Sequence, residues 1–245
     1  MTDLAHATVA IAGAAGGIGR AAGYEMYSRG AHLALGDRDL SGLQTAEAEL
    51  RGHPGRVSIT ELDVTAPDST RQFIETAREL GDGLSHLVVS SGVYPEHDVA
   101  TVTDDEWRHT MAVNLDGTMH LVRDAIPALA PGGSIVLVAS MAAHRGSRQH
   151  AAYAASKGAL VAFARSLAWE LGPQVRVNVV SPGIIETPMT ASLIAAEGAH
   201  LLRATPLGRF GRPADVATVI AFLCSADAAF LTGEVVHVNG GLHMG

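Results

Sequence analysis

Short apolar runs of strand length alternate along this chain with longer segments whose apolar residues recur at helical spacing. Thr8–Ala12 reads as a buried strand, Gly17–Arg29 as a helix, and His32–Gly36 as a second strand ending at Asp37, which together form a βαβ unit. Further strands are predicted at Val57–Leu62, His86–Ser91, Ser134–Ala139, Val175–Ser181 and Glu234–Val238. Helices are predicted at Leu40–Arg51, Asp68–Leu80, Asp104–Leu129, Ala151–Leu171 and Pro213–Leu223. Such alternation predicts an α/β fold: a doubly wound, Rossmann-type parallel sheet of seven strands with helices on both faces. One interval breaks the rhythm. Between Pro182 and Pro213 the chain carries Thr187-Pro188-Met189-Thr190 and a short helical patch near Ala191–Leu202 but no strand, so residues 183–212 are read as a substrate loop or lid.

A length of 245 residues suits one large α/β domain or two small ones. No repeat, low-complexity tract or linker divides the series, so one domain spanning 1–245 is expected. Hydrophobic residues make up 47%, aromatics 4%, and there are 27 glycines, a balance suited to close helix–sheet packing and many turns. The formal charge of −8, without a long Lys/Arg run, argues against nucleic acid as the main partner. The single cysteine, Cys224, excludes an intramolecular disulfide, gives no metal-binding spacing and reads as helix core. The amino terminus, Met-Thr-Asp-Leu-Ala-His, lacks a basic segment followed by an apolar run, and no stretch reaches membrane-spanning length. The expectation is a cytoplasmic protein with no membrane partner.

Candidate chemistry clusters where the predicted strands end. Ala12-Gly13-Ala14-Ala15-Gly16-Gly17-Ile18-Gly19 joins the first strand to the first helix, with Gly13, Gly17 and Gly19 in Gly-x-x-x-Gly-x-Gly spacing. There a dinucleotide pyrophosphate would meet a helix amino terminus; the plainer reading is a Gly-rich turn. Asp37 could accept hydrogen bonds from both ribose hydroxyls, or cap the helix that follows. It would repel a 2′-phosphate by on the order of 4 kcal/mol for charges about 4 Å apart at an effective dielectric near 20, which favours NAD over NADP. Arg38 works the other way, since its guanidinium could hold that phosphate. Asp63 with Val64, and the turn Ser90-Ser91-Gly92, fall at the carboxyl edge of the sheet as ligand contacts or as simple turns. Asn114 lies inside a long helical pattern, where a short amide competes for backbone hydrogen bonds and Gly117 adds looseness. Ser140 ends a strongly apolar strand and either donates to a substrate oxygen or closes a turn. Tyr153 and Lys157 leave one helix face a turn apart, which would put an ammonium beside a phenol and lower its pKa toward acid/base use.

In order and spacing these residues resemble the short-chain dehydrogenase/reductase family over nearly the whole chain. The matching motifs are Gly13/Gly17/Gly19, Val89-Ser90-Ser91-Gly92, Asn114, Ser140, Tyr153/Lys157 and Pro182-Gly183, with Ser140 thirteen positions before Tyr153. Two departures stand out: Ala12 replaces the family's Thr, and Val89-Ser90-Ser91 replaces Asn-Asn-Ala. The resemblance implies that Tyr153 is the general acid/base, that Lys157 holds the ribose hydroxyls, that Ser140 binds the substrate oxygen and that Asn114 supports a water relay. It further implies that Pro182, Gly183, Ile185 and Thr187 position the nicotinamide carboxamide, that no metal is required, and that the chain assembles as a homotetramer. That assembly would use the two long helices and the segment His237-Val-Asn-Gly-Gly-Leu-His-Met-Gly. The expected activity is NAD-dependent interconversion of a small secondary alcohol and a ketone. The alternatives are an NADP-dependent 3-oxoacyl or polyketide reductase and, from another class, a dinucleotide sensor or scaffold without turnover. His144, Arg145, Arg148 and His150, in the loop between Ser140 and Tyr153, would suit a carboxylate or polyol, or form a solvated loop or subunit contact. Tyr94 and Glu96 are further candidates for the pocket.

Overall fold

Strand β1 (Thr8–Ala12) buries all of its residues because layers cover both sides of it: Val9 and Ile11 face one apolar cluster, Ala10 and Ala12 the other. The computed structural model describes residues 4–50, 52 and 55–244. Six further strands, β2 (His32–Asp37), β3 (Val57–Glu61), β4 (Leu84–Val89), β5 (Leu129–Val138), β6 (Val175–Pro182) and β7 (Val235–Val238), complete a seven-stranded sheet in the order β3-β2-β1-β4-β5-β6-β7. Every pairing is parallel. The order reverses between β1 and β4, which opens a crevice at their carboxyl ends.

The helices are α1 (Gly17–Ser28), α2 (Leu40–Glu49), α3 (Pro67–Leu80), α4 (Asp104–Met111), α5 (Gly117–Ala125), α6 (Ala142–Arg145), α7 (Ala151–Leu171), α8 (Ala191–Ala204) and α9 (Pro213–Cys224). Met26 of α1 and Ile220 of α9 pack with Val9, Ile11 and Leu33 on one face. Phe73 of α3, Leu121 of α5 and Leu167 of α7 pack with Ala10, Leu87 and Ile135 on the other. No helix among the described residues is long and apolar enough to cross a membrane.

The observed elements differ from the predicted ones at several places. The predicted helix 104–129 is interrupted by a π-helical turn at Ala112–Asp116 and ends in a 3₁₀ turn at Ile126–Ala128. Gly117 is there for close packing rather than looseness, since a Cβ on it would stand 2.6 Å from Val64 Cγ2. Strand β4 stops at Val89 instead of Ser91, because Ser90 N donates to Ala12 O and the chain then leaves the sheet over Gly13. Helix α6 was not predicted, being too short for any period to show. The predicted end of the second helix, Arg51, lies outside the described residues.

Candidate active site

The turn from β1 into α1 is shaped for close backbone contact. Gly13 adopts φ +86°, and a Cβ on Gly19 would fall 2.1 Å from Gly13 O, so this approach admits only glycine. Helix α1 begins at Gly16 with no side-chain cap and no acidic residue in its first turn, leaving its amino-terminal N–H groups to a ligand. Gly13, Gly16, Ser90 and Gly92 wall two adjoining cavities of about 240 and 790 Å³, which together make one trough across the sheet reversal. Ile18, Pro182, Ile185 and Thr187 border its inner part; Asp37, Arg38, Asp63 and Val64 border its outer part. A buried hydroxyl, Ser91 Oγ, has no hydrogen-bond partner beside the outer cavity. The backbone donors and the uncapped helix terminus beside this trough suit the phosphates of a dinucleotide.

Asp37 is not a helix cap: Asp39 caps α2, accepting from Gly42 N at 3.0 Å. The Asp37 carboxylate instead accepts from Ala15 N and Asp39 N, both at 3.1 Å, and so ties the Gly-rich turn to the end of β2. Asp63 accepts from the Thr65 hydroxyl and amide, which hold its carboxyl below the usual range, with Arg38 adding to the effect. Arg38 therefore feels a carboxylate of its own, and Glu61 lines the same cavity as Asp37.

Deeper in, the four residues expected to be catalytic come together. Tyr153 and Lys157 are buried on the first two turns of α7, and Ser140 stands beyond the end of β5. Ser140 Oγ accepts from Ala142 N at 3.1 Å and also faces the Tyr153 hydroxyl, so turn closure and site contact coexist. The expected lowering of the tyrosine pKa is corrected by the geometry. Burial pushes the phenol up to about 12, with the Ser140 hydroxyl offsetting part of the rise, and pushes Lys157 down to about 8. Lys157 Nζ donates to Val138 O at 2.8 Å and lies 5.8 Å from the Tyr153 ring centre. A compositional signal went unread: Lys157 is the only lysine in the chain, against 16 arginines. Arginine cannot titrate near neutrality, so a lone buried lysine marks a site that needs a tunable cation.

Asn114 sits in the π turn, fully buried. Its Oδ1 accepts from Val93 N at 2.8 Å, while Nδ2 donates to Val93 O and Ser156 Oγ. A Cβ on Gly92 would meet Asn114 Oδ1 at 3.2 Å and Lys157 Nζ at 3.4 Å, so both converge on that glycine. The amide thus has its partners and positions the loop, and the Asn114 backbone carbonyl accepts from Thr118 Oγ1.

Beyond Tyr153 opens a third cavity, of about 610 Å³. Ser140 and Tyr153 line both this cavity and the inner trough. Tyr94 stacks on His150 with centroids 3.8 Å apart and meets the Tyr153 ring edge to face at 4.6 Å. Arg145, Arg148 and Glu96 reach this cavity as expected from the sequence, whereas His144 does not and turns toward His237 and His243. Residues 183–212 form the opposite wall. Their ends are clamped by Glu186 N to Gly211 O and Gly211 N to Ile184 O, and Ile184, Leu201 and Phe210 give them a small apolar core. Met189, which sequence reasoning did not single out, borders all three cavities.

A family model described as enoyl-(acyl carrier protein) reductase matches residues 13–243. The 3-oxoacyl-[acyl-carrier-protein] reductase of Thermotoga maritima is 35% identical over 235 residues, covering 95% of this chain and 96% of that protein. Its counterpart from Escherichia coli K12 is 34% identical, covering 96% of each. The crystal structure of a short-chain dehydrogenase/reductase from Brucella melitensis, named as a glucose/ribitol dehydrogenase, superposes with a TM-score of 0.97 at 43% identity, covering 100% of this chain and 99% of that one.

Proposed function

This chain belongs to the short-chain dehydrogenase/reductase family and is an oxidoreductase, and on that premise we propose that it interconverts a ketone and a secondary alcohol with a nicotinamide dinucleotide. The observation that carries the reading is the position of Ser140 and Tyr153, which border both the nucleotide trough and the substrate cavity. The nicotinamide, once bound, supplies or accepts the hydride. Tyr153 Oη gives its proton to the ketone oxygen or takes it from the alcohol, and Ser140 Oγ donates to the same oxygen. Lys157 holds the ribose hydroxyls, and Asn114 acts as a positioning residue through Val93 and Ser156.

The names of the curated relatives favour the alternative activity, 3-oxoacyl reduction, over NAD-dependent interconversion of a small secondary alcohol and a ketone, and make an acyl thioester the leading substrate class. A polyol is a second reading, favoured by Glu96, Arg145, Arg148 and Glu197 around the cavity and by the name of the Brucella protein. Asp37 and Glu61 beside the trough support NAD(H) as the nucleotide.

The test is turnover of an acetoacetyl thioester and of ribitol with each nucleotide, followed by nicotinamide absorbance, in wild type and Tyr153→Phe. The expected outcome is preferred use of the thioester with NADH, and a loss of at least about a hundredfold in kcat for the variant with NADH binding retained. A Tyr153→Phe enzyme as active as wild type would sink the mechanism; faster ribitol oxidation would move the substrate to the second reading.

A further inference from the structure

Behind the wall of the substrate cavity lies a cluster that the reaction does not use. His144 of α6, His237 of β7 and His243 of the tail after β7 each bring a ring nitrogen within 4.8 Å of the other two. Ring centres are 4.7, 5.2 and 5.4 Å apart. Ring packing alone leaves a defect: His237 Nδ1 is buried with no hydrogen-bond partner. An unmet buried polar atom is costly, and it is met when the imidazoles converge on a cation.

We propose that His144, His237 and His243 bind one divalent transition-metal ion of the zinc class, with a fourth position open to water, and that the ion fastens the carboxyl-terminal tail to the wall of the substrate cavity. Zinc–nitrogen bonds of about 2.0–2.1 Å in tetrahedral geometry place ligand nitrogens about 3.3 Å apart. From a triangle of 4.8 Å sides, each nitrogen need move only about 0.9 Å, within the reach of side-chain rotation. Three imidazoles without a carboxylate suit zinc, nickel or copper and disfavour calcium and magnesium. Ligand imidazoles must be neutral; burial first, then the neighbouring histidines, hold His144 and His237 below the ordinary histidine value. Arg165 acts in the same direction on His144, and Glu234 opposes it at His237.

The site departs from the expectation that no metal is required only in a structural sense, since none of the three histidines lines the substrate cavity. The coupling is indirect: Ala142 and Arg145, on the same short helix as His144, do line it. His237 borders a separate cavity of about 540 Å³ together with Asn239 and Met244.

Untagged protein, stripped with chelator and dialysed, is titrated calorimetrically with zinc chloride and, in parallel, with cobalt chloride followed by visible absorption. The variants are His237→Gln, His243→Gln and, as a control, His200→Gln on the exposed side of α8; circular dichroism verifies that each is folded. The expected result is one zinc per chain, a tetrahedral cobalt spectrum, and affinity at least about tenfold lower in His237→Gln and His243→Gln but unchanged in His200→Gln. Zinc should also raise the Tm of the wild type and not that of His243→Gln. No binding, equal binding by wild type and His243→Gln, the same loss in the control, or one zinc per two chains would each overturn the proposal.

Discussion

At the nucleotide end of the site Gly13, Gly16 and Gly92, beyond the ends of the parallel strands β1 and β4, bring backbone to the wall. At the substrate end side chains from the four-residue helix α6, from α8 and from the loop before α7 line the wall. A backbone site requires one particular chain path and therefore one particular residue, glycine, at fixed spacing. A side-chain site tolerates many residues, because each contributes surface rather than path. The two ends should then answer differently to the same small substitution. In Gly19→Ala the new methyl would fall 2.1 Å from Gly13 O and 2.8 Å from Gly13 C, both backbone atoms with nowhere to turn. An overpacking cost of about 1–3 kcal/mol on the bound arrangement means a loss of roughly fivefold to 150-fold in NADH affinity, measured by fluorescence titration. Ser192→Ala on the lid, of equal size in the opposite sense, should change substrate KM less than about threefold and leave NADH binding alone. Comparable losses of NADH binding in both would end the distinction.

The same contrast explains what the sequence made legible. Strands and long helices were readable because Val9/Ile11 against Ala10/Ala12, and the period of α7, repeat often enough to show a face. The Gly-rich turn was readable because its residue type is imposed by φ and close approach. Met189 and the turn of His144 away from the pocket were harder to read, since each depends on which distant segments meet, and no local spacing encodes that. Helix α6 and the early start of β5 at Leu129 failed for want of length and of an apolar run. The pKa of Tyr153 was misjudged for a related reason: spacing on a helix shows that Lys157 is near, but not that both groups are dry.

Between the two ends lies Lys157, and its titration tests how dry the junction is. Its folded pKa of about 8 is below the ordinary 10.5, so below pH 8 both folded and unfolded chains carry the proton and the burial penalty is present in full. From about pH 8 to 10.5 the folded state has released that proton while the unfolded chain keeps it, and the contribution of this group to stability rises with pH. Tyr153 acts in the opposite direction only above about pH 10, because its folded pKa is raised to about 12. Between pH 8 and 10 the ligand-free protein should therefore gain about 2–3 kcal/mol from Lys157, visible in urea unfolding and absent in Lys157→Met. Because no other lysine is present, the ¹³C-labelled side chain gives a single titration curve, expected to have its midpoint near 8. A midpoint at the ordinary lysine value would mean that water reaches the junction and that the two cavities are one open cleft.

The smallest effects separate two aspartates a residue apart, Asp37 and Asp39, of which the first belongs to the nucleotide end and the second to the scaffold. Asp37→Asn keeps an acceptor for Ala15 N while removing the charge that would face a 2′-phosphate. Because the carboxylate borders an open trough, screening should reduce the full Coulomb cost, and the ratio of kcat/KM for NADPH over NADH is expected to rise about tenfold. Asp39→Ala removes the acceptor for Gly42 N and Ser41 Oγ at the start of α2, a capping loss that should lower Tm by about 2–4 °C. It should leave the nucleotide ratio within about twofold, since Asp39 is not among the residues lining the trough. If Asp39→Ala instead moved the ratio as far as Asp37→Asn, nucleotide choice would depend on the path of the loop after β2 rather than on a carboxylate. The nucleotide end would then be backbone-defined even beside the charged side chains of its outer part.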